Sequence, residues 1–189
     1  MTTAFHRPTR LQSLLALSAL ALLGAAGMRT VQAADNATAS ATAVVLQPIA
    51  VTKSADLVFG NVVAGNGVVT VATDGARTRS GTAVLPSGVT AAAARFDVTG
   101  TGANTFSIDY TGSDSVLTDV SSNTMAVDWI TEAVATTTPT GKTDETTDAT
   151  TGTLASGAAY IFVGGKLTVG GSQAAGTYTG VVKVTVAYN

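Results

Sequence analysis

Chemistry at physiological pH is carried by histidine, cysteine, paired carboxylates and activated hydroxyls, and this chain is poor in all of them. It has 189 residues, no Cys, and one His, at position 6. Without cysteine there is no thiol nucleophile, no disulfide framework and no Cys-ligated zinc. Any hydrolytic chemistry would therefore rest on two carboxylates facing one another, as in glycoside hydrolysis. The carboxylates are instead scattered singly. Asp97, Asp109 and Asp128 each sit between apolar neighbours, the arrangement expected of outward positions on half-buried strands. Asp144, Glu145 and Asp148 cluster but lack the spacing and turn glycine of a calcium loop. Arg77 and Arg79 read as solvated surface charge. The expectation is a non-enzyme with no cofactor and no metal.

The elements that would position these residues begin after a leader. Arg7 and Arg10 precede a 17-residue apolar stretch over 11–27, followed by Val31 and Ala33 at the −3 and −1 positions of a small-residue cleavage site. The stretch is short for a membrane span of about 20 apolar residues. Residues 1–33 are thus expected to be a cleaved signal peptide, the product to be exported, and no stable membrane anchor to remain. Removing Arg7, Arg10 and Arg29 with the leader leaves 7 basic against 12 acidic side chains, a net charge of −5. An acidic product offers no electrostatic footprint for nucleic acid.

In the remainder, apolar and polar residues alternate with period two, which predicts an all-β chain. Expected strands are 44–52, 68–73, 81–85, 95–99, 105–110, 125–130, 159–163, 166–169 and 177–188, with turns at Asn66-Gly67, Asp74-Gly75 and Gly164-Gly165. So many short strands suit one immunoglobulin-like β-sandwich over 47–189. The Thr-rich stretch 132–153 reads as an exposed loop. Phe106, Ile108 and Tyr110, Met125, Val127 and Trp129, and Tyr160 with Phe162 supply inward anchors, Trp129 foremost.

The two ends carry the most information. Val182, Val184, Val186 and Tyr188 share one face of a strand that runs to the penultimate residue. In the extension 34–46, Ala37, Ala39, Ala41, Ala43 and Val45 alternate with Thr38, Ser40, Thr42 and Val44, without a preceding strand to pair with in the processed chain. This is a candidate donor strand for the sheet of a neighbouring subunit.

The segments Gln47-Pro48-Ile49, Leu57-Val58-Phe59-Gly60-Asn61-Val62, Phe96-Asp97-Val98-Thr99-Gly100, Phe162-Val163-Gly164-Gly165-Lys166-Leu167 and the close from Ala175-Gly176-Thr177-Tyr178 to Ala187-Tyr188-Asn189 resemble the bacterial domain-of-unknown-function family four-four-zero-two, secreted and fimbrillin-like. More distantly, the ending is similar to that of spore-coat-U and archaic chaperone-usher pilin subunits. The resemblance implies a surface-filament subunit whose incomplete sandwich is completed by donor-strand exchange. Its partners would be further copies of itself in a homopolymer, a periplasmic chaperone and an outer-membrane usher. The alternative expectation is a monomeric surface or secreted β-sandwich that binds carbohydrate or protein.

Overall fold

The computed structural model describes residues 35–144, 146 and 148–189. The leader expected over 1–33 lies outside these residues, as does Glu145. Residues 43–189 form one compact unit. Residues 35–42 carry no strand and are exposed.

Ten strands and no helix occur among the described residues: β1 Ala50–Ala55, β2 Gly67–Val71, β3 Arg77–Gly81, β4 Ala94–Thr99, β5 Thr105–Asp109, β6 Val116–Thr118, β7 Thr124–Val134, β8 Thr151–Thr153, β9 Ala158–Val169 and β10 Thr185–Tyr188. All pairings are antiparallel. They form a seven-stranded sheet and a three-stranded sheet in the order β10-β5-β8. The chain is an all-β sandwich.

Strand β9 is the spine of the larger sheet. One edge pairs with β7, from Val127 opposite Leu167 to Val134 opposite Tyr160. The other edge pairs first with β4 and then with β2. Gly164 and Gly165 lie inside β9 and do not turn the chain, correcting the expectation of two strands joined by a hairpin. A Cβ on Gly164 would collide with the carbonyl of Val71, so these glycines permit close backbone approach where β4 gives way to β2. The turn at Asp74-Gly75 does form between β2 and β3. Gly75 has φ +83° and the Asp74 carboxylate accepts from the Ala76 amide at 2.9 Å. Asn66-Gly67 instead leads into β2, and β3 starts at Arg77, four residues before the expected strand.

Alternation places Ala94, Phe96 and Val98 of β4, Phe106 and Ile108 of β5 and Ala159, Ile161 and Val163 of β9 between the sheets. A second cluster joins Val69, Leu117, Val127, Leu167 and Val169. Tyr160, expected inside, lies on the outer face, where the Arg95 guanidinium sits 4.7 Å from its ring centroid. Arg95 also pairs with Asp97 at 2.7 Å.

The stretch 132–153 is not a free loop. Glu132 to Val134 extend β7, and Thr151–Thr153 form β8. The Glu132 carboxylate is buried; it accepts the Thr73 hydroxyl at 2.6 Å and the Thr140 amide at 3.0 Å. Lys142 and Thr73 exchange bonds, the Lys142 amide donating to Thr73 Oγ1 at 2.8 Å and the Thr73 amide to Lys142 O at 3.1 Å. The Ala149 amide and Asp148 both bond Thr131 Oγ1. The stretch is tied to the sandwich through Glu132, the backbone of Thr140, Lys142 and Ala149, and the hydroxyls of Thr73 and Thr131. Glu132→Ala strands the buried Thr73 hydroxyl and a partly buried amide, so it should cost about 2 kcal/mol in denaturant unfolding. A loss below about 0.5 kcal/mol would contradict this role.

Candidate functional site

The core is not covered everywhere. A groove of about 1110 Å³ runs between two stretches of chain, 55–64 on one side and 173–182 on the other. Its floor includes Phe96, Leu117, Met125, Trp129, Leu167 and Val169. Trp129 and Met125 are therefore half-buried, although they lie on the inward face of β7 beside the buried Val127. Trp129 packs against both core clusters.

Hydrogen bonds tie each lip to the body of the domain. In the first lip, Val58 exchanges bonds with Ala92, and Val63 with Val84. Arg77 then ties the stretch between them, its guanidinium donating to Phe59 O at 2.8 Å, Asn61 O at 3.2 Å and Pro86 O at 3.2 Å. The expectation of a solvated Arg77 is corrected: five fixed donors suit one side chain to several carbonyls at once. Gly60 has φ +76° and leaves room for this guanidinium.

The second lip is held through odd-numbered residues. Thr179 exchanges bonds with Thr118, and Val181 donates to Asp114 Oδ2 at 2.7 Å while its carbonyl accepts from the Asp114 amide at 2.8 Å. The Lys183 amide donates to Ser113 Oγ at 2.9 Å. Asp114 O also accepts the Trp129 indole N–H at 2.8 Å, so one aspartate joins lip and floor. Beneath this lip, the Asn123 amide and neighbouring backbone N–H groups hold the Asp119 carboxyl below the usual range, against the opposing pull of desolvation.

Backbone groups alternate sides along an extended chain. With the odd positions bonded outward, the amides and carbonyls of Gly180, Val182 and Val184 face the groove, and they have no hydrogen-bond partner among the described residues. Regular pairing resumes only at β10, against β5. The expected strand 177–188 is thus a strand over its last four residues and an open edge before them. Val182, Val184, Val186 and Tyr188 are half-buried and pack on the core from this edge.

At its far end the groove closes. The Tyr188 hydroxyl accepts from the Thr101 amide at 2.7 Å and donates to Gln47 O at 3.0 Å, and the Gln47 amide donates to Thr101 Oγ1 at 2.7 Å. This latch fixes where the N-terminal extension leaves the sandwich. Beyond it, Val44 and Val45 are 85% and 92% exposed. Ala37, Ala39, Ala41 and Ala43 are exposed and belong to no strand. Asp109 and Asp128 are exposed, and no cluster of three His, Cys, Asp or Glu suited to a metal occurs among the described residues.

The family defined as Domain of unknown function (DUF4402) matches residues 49–188. The chain belongs to this family. The match begins just after the latch at Gln47 and spans both lips, so the family domain contains the whole groove and leaves the extension outside it. No curated protein and no solved structure matches the chain.

Proposed function

We propose that this DUF4402 protein is an exported structural subunit of a fimbria or similar surface filament, assembled by β-strand addition and without catalytic activity. The observation that carries the reading is the groove edge at Gly180, Val182 and Val184, whose backbone groups are unpaired above an apolar floor. An exposed sheet edge beside uncovered core is unstable in water and open to pairing. A strand laid there would satisfy the ladder and cover Trp129, Met125 and Leu117. Residues 37–45 of a second copy have the alternation required, with Ala37, Ala39, Ala41, Ala43 and Val45 turned inward and small enough to enter between the lips. A periplasmic chaperone would shield the groove before assembly, and an outer-membrane usher would pass the subunit to the surface.

The chain contains one Trp, which makes the floor of the groove its own reporter. A synthetic peptide of residues 35–46, added to the full chain, should shift Trp129 emission to the blue and raise the unfolding midpoint with peptide concentration. Saturation at 100 times Kd corresponds to about 2.7 kcal/mol. The same peptide carrying Ala41→Asp should do neither. If the native peptide leaves both signals unchanged, the groove does not accept this strand. The aromatic floor would then favour a monomeric adhesion module that takes carbohydrate or protein.

A further inference from the structure

Strand addition fixes what enters the groove but not which way it runs or where the donor's body comes to rest, and the two ends of the groove differ. The closed end carries the Tyr188 latch and the base of the subunit's own extension. The open end, past Ala64 on one lip and Gln173 on the other, carries the exposed Val63 and Val84. Val63 exchanges backbone bonds with Val84, and Val58, Val63 and Val89 all reach the groove wall. Val84 remains 49% exposed. Val63 and its bridge partner Val84 thus put two exposed apolar side chains at the open end, with Val58 and Val89 farther along the same wall.

Reach excludes the chain's own extension as the occupant. The groove opens only near the end of β1, and β1 covers about 17 Å from Ala50 to Ala55 at ~3.3 Å per residue. An extension folded back from Leu46 would spend residues 41–46 along that closed stretch, bringing only Ala37 to Ser40 to the groove. A second copy has no such constraint. If its strand ran parallel to 178–188, its Val45 and its whole body would arrive at the closed end, where the acceptor's own extension departs. If it ran antiparallel, its body would arrive at the open end, which nothing obstructs.

We infer that the open-end valines Val63 and Val84 are the second half of the subunit joint, docking Val44, Val45 and Leu46 of the copy whose strand fills the groove. This rests on the strand-addition reading. It assigns a partner to the exposed Val44 and Val45, which do not belong to the alternating alanine row alone. It also makes the contact heterologous, so copies stack head to tail into an open filament.

Because the chain has no cysteine, single cysteines report the joint directly. Full-length Val45→Cys is mixed with full-length Val84→Cys or with Ala187→Cys at the closed end, then oxidised, and disulfides are mapped by mass spectrometry. A disulfide joining positions 45 and 84 of different copies is expected. One joining 45 and 187, or multimers with neither, would overturn the assignment of Val63 and Val84 while leaving strand addition standing. In parallel, Val84→Lys should lose at least tenfold of its denaturant-resistant multimers, keep its unfolding midpoint, and still bind the 35–46 peptide. Undiminished multimers in Val84→Lys would overturn the same assignment. Failure of the peptide to bind the unaltered chain would instead sink strand addition itself.

Discussion

Trp129→Ala is expected to lower unfolding free energy by about 3 kcal/mol, the lower end of the range for removing a core Trp, because part of its surface already faces the groove. Among the described residues the indole is the one side chain packed against both core clusters. Its N–H is also bonded to the carbonyl of Asp114, whose carboxylate holds Val181. Truncation therefore opens a cavity where the two clusters meet and releases a carbonyl that positions the second lip. Asp128→Ala, one residue away on the exposed face, should change stability by less than about 0.5 kcal/mol. Urea unfolding of the two variants with the parent makes the comparison. Equal midpoints for Trp129→Ala and the parent would mean that the floor of the groove contributes nothing to the fold, and that the indole serves a ligand instead.

The inward face of β7 was legible in the sequence because Val127 and Trp129 alternate with Asp128, and period two is a local signal. The same holds for Val182, Val184, Val186 and Tyr188. What alternation cannot show is which side of a strand finds a backbone partner. The run 177–188 looks like one uninterrupted strand, yet the residues before β10 are tethered by side chains of Ser113 and Asp114 and leave one edge open. Gly164-Gly165 misleads for a related reason: the dipeptide suits a tight turn equally well as a crowded strand, and only the carbonyl of Val71, ninety-odd residues away in the chain, distinguishes the two. Glu132 and Arg77 were invisible as structural residues because their partners, Thr73 and Thr140 in one case and three backbone carbonyls in the other, are brought together by the fold alone. The groove has no sequence signature of its own. Its floor reads as ordinary core, and it exists because no strand of the described chain covers that floor.

Ala41→Asp is expected to abolish multimers that survive mild denaturant while leaving the subunit folded. In the free chain residue 41 is exposed and outside every strand, so a carboxylate there disturbs no packing, and the unfolding midpoint of the isolated subunit should not move. In the joint, the same position is the middle of five inward-facing side chains. The floor beneath it is Leu117, Met125, Trp129 and their apolar neighbours, and the one lysine lining the groove, Lys53, stands at its edge and already pairs with Asp56 at 2.6 Å. A carboxylate inserted there would be desolvated without a counter-charge, a penalty of several kcal/mol at every joint, which a strand of alanines has little packing energy to offset. Thr42→Asp places the same charge on the opposite face of the donor, toward water, and should leave multimers intact. The contrast between neighbouring positions separates strand insertion from a general effect of added negative charge on an acidic protein, since both variants carry the same net charge. Denaturing-gel ladders of surface material that are unchanged by Ala41→Asp, or lost equally with Thr42→Asp, would show that residues 37–45 do not enter an apolar groove in this register.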